Sequence, residues 1–224
     1  MESTQLTEET DPFCLPAVVA AAMLFDAPWR RFAVIGDSLS AGTGDPSPGY
    51  GKEGWSDRFA GILRQVRPDL AYLNTAKVGA TTADTLTHQI GRLAEFGPDL
   101  LFVPCGANDI VRRSPDFTEI QQTMRKMYDL SSATGAQLTT FTLGRAWEMP
   151  VFPDWSERVR ALNEITRTLA KEYDAVVVDM WDHPINDRED LVSADRIHFS
   201  TSGQAVMASE MAKALAGRLG HRDL

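Results

Sequence analysis

A serine, a histidine and an aspartate in this chain have the side chains that nucleophilic catalysis needs. Ser38 stands in FAVIGDSLSAGTGD, residues 32–45, where an apolar run gives way to a Gly-Asp-Ser turn. A serine hydroxyl attacks poorly until an imidazole accepts its proton, and that imidazole needs a carboxylate to fix its tautomer and stabilise its cation. His198 and Asp195 lie three residues apart in SADRIHFSTSGQ and suit these two roles. In a turn, this spacing brings the carboxylate to Nδ1 of the ring and leaves Nε2 free to face Ser38.

Acyl transfer also needs hydrogen-bond donors for the oxyanion that develops on the attacked carbonyl group. Backbone amides at a glycine turn and an uncharged amide side chain can donate without adding a titrating proton. The candidates are the Ser38 amide, Gly79 in NTAKVGATT and Asn108 in CGANDI. Asp37 and Asp109 adjoin these positions, and we expect them to hold their loops through Asx-type bonds to backbone amides. A direct role of either carboxylate in the chemistry is the alternative.

The rest of the chain alternates between short apolar runs and longer amphipathic stretches, which predict strands and helices respectively. The predicted strands are 32–36, 70–74, 100–104, 137–143 and 175–180, and the predicted helices are 55–66, 82–95, 117–133, 155–172 and 202–219. This alternation predicts an α/β fold, a flavodoxin-like three-layer α/β/α sandwich whose five-stranded parallel sheet has the order 2-1-3-4-5. Such sheets place ligands at the carboxyl ends of their strands, where the loops with Ser38, Gly79, Asn108 and His198 begin.

Four sequence blocks stand in the order that one hydrolase family shows. They are GDSLSAG, VGATT, GANDI and DRIHFS, and through them the chain resembles the SGNH (GDSL-type) hydrolases, a family of serine esterases and lipases, from about residue 32 to 216. The resemblance implies that Ser38 is the nucleophile, His198 the general base and Asp195 the residue that orients it. It also implies that Gly79 and Asn108 donate to the oxyanion. The chain departs from the family at Phe199, where a proline usually follows the histidine.

Composition limits the partners of this chain. Its 224 residues, 43% of them hydrophobic, suffice for one domain, and its net charge is −9. A nucleic acid or an anionic membrane surface would require a basic patch, so we expect neither as a partner and expect a small acyl ester instead. The sequence contains no HExxH motif, no Cys/His cluster with ligand spacing and no P-loop ending. We therefore expect that the protein uses neither a metal nor another cofactor.

The first 30 residues are expected to form an extension with a short apolar helix, ahead of a single hydrolase domain over 31–224. The apolar stretch 15–25 follows acidic residues instead of the basic ones of a secretory signal, and eleven apolar residues are too few to span a bilayer. We therefore expect a cytoplasmic protein. The helix is expected to pack on the domain or on a second copy in a homo-oligomer, with an interfacial or lid-like element as the alternative.

Two segments are expected to form the walls of a substrate pocket. Tyr50 follows the loop GTGDPSPG, and GRAWEMPVFPDW, residues 144–155, lies in a long connection of the kind that carries binding residues. We expect Tyr50, Trp147, Met149, Phe152 and Phe199 to contact the acyl or alcohol group. These residues favour a serine esterase that forms an acyl-Ser38 intermediate with a small or medium-sized substrate. An acyltransferase or thioesterase with the same three catalytic residues, or more remotely an inactive binding module, is the alternative.

Overall fold

The computed structural model describes residues 6–220, and the sheet within this range has five parallel strands. Its order is β2-β1-β3-β4-β5, so the predicted flavodoxin-like topology is confirmed. The strands are β1 (Arg31–Val34), β2 (Ala71–Asn74), β3 (Leu100–Phe102), β4 (Gln137–Phe141) and β5 (Val176–Val178). Every neighbouring pair of strands is parallel, so all five carboxyl ends meet at one edge of the sheet.

Helices cover both faces of this sheet. They are α1 (Ala17–Met23), α2 (Trp55–Val66), α3 (Thr82–His88), α4 (Gly91–Phe96), α5 (Phe117–Ser132), α6 (Trp155–Glu172) and α7 (Thr201–Leu219), with short 3-10 helices at Ala107–Ile110 and Pro184–Asp187. α1, α2 and α7 pack against one another, and α5 packs against both α3 and α6 on the opposite side. The result is the three-layer sandwich that the sequence predicts.

Large aromatic side chains fill the space between the sheet and α2. Trp55, at the first turn of α2, is fully buried and meets the Phe102 ring edge-on at a centroid distance of 4.7 Å. Phe141 lies 5.1 Å from Phe102 and 6.3 Å from Trp55. Phe32 of β1 meets Phe59 of α2 at 5.5 Å. Burial of each such ring stabilises the fold by roughly 2–3 kcal/mol. These contacts fix α2 over the strands whose ends carry the polar loops.

The predicted helix over 82–95 is two helices, α3 and α4, which meet at Gln89 and Ile90. The Gln89 side chain points into the protein, where only 4% of the residue is exposed, and its amide pairs with the backbone of Gly36. A 3.6-residue hydrophobic period does not report such a long-range hydrogen bond. Gly91, directly after the break, further lowers the helix propensity at this point.

The N-terminal segment lies along α2 and α7. The Leu15 amide donates to the Ser209 hydroxyl of α7 at 2.9 Å, and α1 contacts both helices. Val18 and Phe25 point outward and are 69% and 59% exposed. The first five residues of the predicted extension lie outside the described residues. Among residues 6–220, none of the helices has the length and apolar character that crossing a bilayer requires.

Candidate active site

The turn after β1 presents Ser38 at the carboxyl edge of the sheet. Gly36 has φ +135°, and a Cβ added to it would lie 2.3 Å from Ser40 Oγ and 2.8 Å from Pro104 Cβ. This position requires glycine because any larger residue would collide with its neighbours. The Gln89 side chain holds the turn in place, since it accepts from the Gly36 amide at 2.7 Å and donates to the Gly36 carbonyl at 2.8 Å. The turn leaves 6% of Ser38 exposed.

His198 and Asp195 lie on the turn between β5 and α7. His198 Nε2 lies 2.8 Å from Ser38 Oγ, and His198 Nδ1 lies 2.6 Å from Asp195 Oδ2. The other Asp195 oxygen accepts from the amides of Ile197 at 2.9 Å and His198 at 3.0 Å. Arg196 has φ +59°, a left-handed conformation that closes this tight turn. The structure thus brings three predicted site residues together in one hydrogen-bonded row.

The hydrogen bonds around Asp195 favour its ionised form. Burial raises the pKa of this carboxyl, but bonds from the His198 ring and from the amides of Ile197 and His198 outweigh burial and bring the pKa below its usual value. When the proton of the His198 ring is on Nδ1, it is donated to the Asp195 carboxylate, and Nε2 is left as an acceptor for the Ser38 hydroxyl. The row can therefore take a proton from the hydroxyl and stabilise the positive charge that forms on the ring.

Asn108 and Gly79 lie on two loops that are hydrogen-bonded to each other. Asn108 belongs to the 3-10 helix after β3 and lines the same pocket as Ser38. Its Nδ2 donates to the Ala80 carbonyl at 3.0 Å, which leaves the second N–H of that amide for another acceptor. Gly79 precedes Ala80, is exposed, and has φ +79°. The structure brings Asn108 to Ser38 and places Gly79 next to the residue that orients Asn108.

Asp37 and Asp109 are buried beside the site and bind backbone amides. Asp37 Oδ1 accepts from the Leu39 amide at 3.0 Å, the local bond that the sequence predicts. Asp109 accepts from the Thr82 amide at 2.9 Å and the Thr82 hydroxyl at 2.8 Å, so it ties the loop after β3 to the start of α3. Burial raises the pKa of both carboxyls, that of Asp37 to about 6. Both acids therefore shape the loops that carry Ser38 and Asn108.

A narrow pocket opens at Ser38. Two of the expected contact residues, Trp147 and Met149, line it together with Asn108. The sequence analysis did not single out the lining residues Leu39, Ala107, Val111, Leu143, Trp155 and Ile197. Some of them adjoin the motif blocks, and that position could have identified them. Trp155 ends the segment 144–155 that was expected to form a pocket wall and Leu143 directly precedes it, but only the fold shows that these two side chains line the pocket at Ser38.

A second cavity of about 380 Å³ adjoins this pocket and shares Trp147, Met149 and Trp155 with it. We call it the aromatic groove, and its other lining residues are Arg145, Glu148, Pro150, Phe152, Ser156, Val159 and Trp181. Two of the three residues that line both cavities are held in place by hydrogen bonds. The Trp147 indole N–H donates to the Ile197 carbonyl, and the Trp155 indole N–H donates to the Trp147 carbonyl at 3.0 Å. Met149, the third residue that lines both cavities, has an unbranched and adaptable side chain.

The structure corrects the expectation that Phe199 and Tyr50 are pocket residues. Phe199 is fully buried and packs edge-on against Trp147 at a centroid distance of 4.7 Å, so its ring belongs to the core. The Tyr50 hydroxyl donates to Asp11 at 2.8 Å, and Tyr50 does not line the pocket at Ser38. Phe152 lines the aromatic groove instead of that pocket, and its ring stacks on Trp155.

Comparisons with known proteins identify related esterases. The model of the GDSL-like lipase/acylhydrolase family matches residues 34–206. An arylesterase from Vibrio mimicus is 24% identical over 208 residues, which cover 92% of this chain and 95% of that protein. Esterase TesA from Pseudomonas aeruginosa is 25% identical over 177 residues, or 78% of this chain and 82% of that enzyme.

The fold is also similar to that of solved esterases. The psychrotrophic esterase EstA from a Pseudoalteromonas species superposes with a TM-score of 0.66 at 19% identity, over 85% of this chain and 99% of that chain. An acetylxylan esterase from Geobacillus stearothermophilus gives the same TM-score of 0.66 at 19% identity, over 83% of this chain and 94% of its own. At these identities the structures establish the architecture, whereas the family match covers most of the chain and all four motif blocks. The protein is thus an esterase that belongs to the GDSL-like lipase/acylhydrolase family, the SGNH hydrolases that its motifs resemble.

Proposed function

We propose that this esterase hydrolyses carboxylic esters of small or medium-sized substrates through an acyl-Ser38 intermediate. The supporting observation is the pair of distances at His198, 2.8 Å from Nε2 to Ser38 Oγ and 2.6 Å from Nδ1 to Asp195 Oδ2. Both distances are those of hydrogen bonds, and the second partner is a carboxylate whose pKa lies below its usual value. The serine therefore has an acceptor for its proton, and the acceptor has a counter-ion.

In the first step, Ser38 Oγ attacks the ester carbonyl carbon while His198 Nε2 takes the hydroxyl proton. The oxyanion accepts hydrogen bonds from the Ser38 amide, the Gly79 amide and the free N–H of Asn108 Nδ2. The bond from the carbonyl carbon to the alcohol oxygen then breaks, and His198 gives its proton to the departing alcohol. Asp195 stabilises the imidazolium ion between these two proton transfers.

In the second step, water attacks the acyl-Ser38 carbonyl carbon and His198 takes a proton from it. The bond between that carbon and Ser38 Oγ breaks, His198 returns the proton to the serine, and the carboxylic acid leaves. Neutral His198 is required at the start of both steps, because a protonated ring has no lone pair on Nε2 to accept the proton.

The substrate's acyl or alcohol group contacts Trp147 and Met149, which line the pocket at Ser38. Larger groups extend past Met149 toward Phe152 in the aromatic groove. Apolar, aromatic walls suit an uncharged hydrocarbon group, since burial of apolar surface is the main source of binding free energy there.

The first test is hydrolysis of p-nitrophenyl esters from acetate to palmitate by the wild type and by Ser38→Ala. We expect activity that peaks at one chain length and a kcat at least about 10³-fold lower in the variant. Ser132→Ala, at an exposed position of α5, is the matched control and should retain wild-type activity. Equal activity of the wild type and Ser38→Ala would refute the serine mechanism. Folded protein that cleaves none of these esters would favour the acyltransferase or thioesterase alternative.

A phosphonate ester provides a second, independent probe of Ser38. The solved structure of esterase EstA is described as inhibited by monoethylphosphonate. A p-nitrophenyl phosphonate would release one equivalent of p-nitrophenol as Ser38 Oγ displaces it from phosphorus. We expect a burst of one equivalent per chain from the wild type and no burst from Ser38→Ala.

A further inference from the structure

A buried carboxylate in the N-terminal arm, residues 6–16, joins two loops of the candidate active site. The Asp11 side chain is 0% exposed. Its Oδ1 accepts from the Phe13 amide at 2.9 Å, and its Oδ2 accepts from Tyr50 Oη at 2.8 Å and from Arg188 Nη1 at 2.5 Å. Burial raises the pKa of Asp11, but these hydrogen bonds outweigh burial and lower the pKa. A charge buried in this way persists because each oxygen has a donor.

The two side-chain partners of Asp11 belong to different loops. Tyr50 lies in the loop of residues 42–54, which connects the Ser38 turn to α2. Arg188 lies between β5 and α7, in the loop of residues 179–200 that carries His198. Arg188 Nη2 also donates to Tyr50 Oη at 3.3 Å, so the three side chains form a closed triangle. We call residues 42–54 the serine loop and residues 179–200 the base loop.

Near His198, the serine loop and the base loop are hydrogen-bonded directly to each other. The Asp45 amide donates to Ser193 Oγ at 2.7 Å, Asp45 Oδ2 accepts from the Ala194 amide at 2.9 Å, and the Asp45 carbonyl accepts from the Thr201 amide at 2.8 Å. These bonds flank residues 195–198 on both sides. The Ser193 amide, in turn, donates to the His198 carbonyl at 2.7 Å.

The Asp11 triangle is connected to this set of bonds from both loops. On the base loop, Arg188 pairs with Asp190 at 2.6 Å, and the Asp190 carbonyl accepts from Ser202 Oγ at 2.8 Å. On the serine loop, the Tyr50 amide donates to the Ser47 carbonyl at 3.2 Å, and the Ser47 amide binds the Thr201 side chain at 2.6 Å. A change in the separation of Tyr50 and Arg188 would therefore alter the placement of the turn that holds His198.

We propose that Asp11 is a positioning residue for the proposed hydrolysis, because it fixes the serine loop against the base loop and so keeps His198 at hydrogen-bond distance from Ser38. This inference rests on the proposed function. Asp11 precedes residue 34, where the match to the family begins, so the N-terminal arm adds a support for the active site that lies outside the shared family sequence.

The test uses the full chain with Asp11→Asn, and kcat is expressed per chain that reacts with the p-nitrophenyl phosphonate. We expect kcat per reactive chain to fall at least about tenfold, because small displacements of catalytic groups are costly, while KM stays within about threefold. The rate constant for phosphonylation of Ser38 should fall by a similar factor, since it too depends on His198. All assays are run well below the Tm of each variant.

Ser209→Ala is the matched control. It removes the partly buried hydrogen bond between the Leu15 amide and the Ser209 hydroxyl of α7, which anchors the same arm without contact with either loop. A purely structural role of the arm predicts that both variants lower Tm and that neither changes kcat per reactive chain. Our inference predicts that only Asp11→Asn changes kcat, and unchanged kcat and phosphonylation rate in Asp11→Asn would overturn it.

Variants of the two side-chain partners of Asp11 keep the inference testable if Asp11→Asn does not fold. Tyr50→Phe removes a single hydrogen bond to Asp11 and should lower kcat per reactive chain about threefold or more, whereas Arg188→Lys keeps the charge and should retain more activity than Arg188→Gln. Wild-type kcat in Tyr50→Phe and Arg188→Gln would refute the inference. If Ser38→Ala is inactive and these variants are not impaired, the inference about Asp11 fails while the proposed function stands. If Ser38→Ala remains active, the proposed function itself fails.

Discussion

Asp37→Asn tests how the buried acid beside Ser38 affects the stability of the fold. The residue is 3% exposed, and burial is the largest cause of the rise in the pKa of its carboxyl from 3.8 to about 6. Bonds from the Leu39 and Ser40 amides oppose this rise, and the Asp109 carboxylate adds to it. The folded protein therefore holds a proton on Asp37 more tightly than the unfolded chain does.

The size of the effect follows from the two pKa values. A rise from 3.8 to about 6 corresponds to about 3 kcal/mol at about 1.4 kcal/mol per pKa unit. Because the folded-state pKa is the higher one, this stabilisation is fully present below about pH 4 and is lost as the pH rises through about 6. Asparagine does not titrate, and its Oδ1 can still accept from the Leu39 amide. The stability of Asp37→Asn relative to the wild type should thus increase by about 2–3 kcal/mol between about pH 4 and pH 7, since the unfolded carboxyl is already partly ionised at pH 4.

Urea unfolding followed by tryptophan fluorescence, at steps from about pH 4 to pH 8, measures this difference. Ser132→Ala, at an exposed position of α5, is the control, and its difference from the wild type should not change with pH because neither side chain titrates in this range. A difference between Asp37→Asn and wild type that stays flat or decreases with pH would refute the reasoning. The same variant distinguishes a loop-holding role of Asp37 from a direct role in the reaction. If Asp37 only holds the loop, the retained hydrogen bond to Leu39 should keep kcat within about tenfold of wild type. A loss as large as that of Ser38→Ala would show that the Asp37 carboxylate takes part in the reaction.

Three other substitutions test the catalytic residues and the pocket. Asp195→Asn removes the charge beside His198 and should lower kcat about 10³- to 10⁴-fold in the p-nitrophenyl ester assay; a decrease of less than about tenfold would contradict its role. Asn108→Ala removes one oxyanion donor and should lower kcat about 10²- to 10³-fold while KM changes little; a change confined to KM would contradict that assignment. Met149→Ala opens the wall between the pocket and the aromatic groove, so the ratio of kcat/KM for octanoate over butyrate should rise about tenfold. Val151→Ala, exposed in the same loop, should leave this ratio unchanged, and an equal ratio in both variants would refute the role of Met149.

The strands could be predicted because local sequence patterns report them, and their order followed from the alternation of strands and helices, which is typical of a flavodoxin-like sheet. Each strand is a short apolar run between polar turns, and the amphipathic period of α6 gives its bounds, Trp155–Glu172, without error. The pairing of Asp195 with His198 could also be predicted from the sequence, because a separation of three residues within one turn brings the carboxylate to Nδ1 of the ring. Ser38 and Asn108 could be placed at the same edge of the sheet, because each follows a strand and the carboxyl ends of parallel strands meet at one edge.

The sequence could not reveal contacts between distant residues. Gln89 ends α3 at a point where its side chain reaches Gly36, 53 residues earlier, and no local pattern reports that bond. Tyr50 looks like a pocket residue from its loop, but its hydroxyl is bound by Asp11, 39 residues away. Phe199 adjoins the base, yet the backbone turn directs its ring into the core against Trp147. These outcomes depend on which elements meet in three dimensions.

The positions of Ser38 and His198 in the chain determine when the proposed catalytic residues can meet during synthesis. Ser38 and His198 are 160 residues apart, and α7 follows His198 and contacts α1, α2 and β5. A chain synthesised only as far as β4 contains Ser38 but not His198, so the proposed nucleophile would lack its base. Under the proposed mechanism, ester hydrolysis therefore requires residues from both ends of this span to be in place. Because the Trp55 indole donates to the Leu39 carbonyl beside Ser38 and the Trp55 amide donates to Gln204 of α7, activity in refolding experiments should return only after Trp55 is buried.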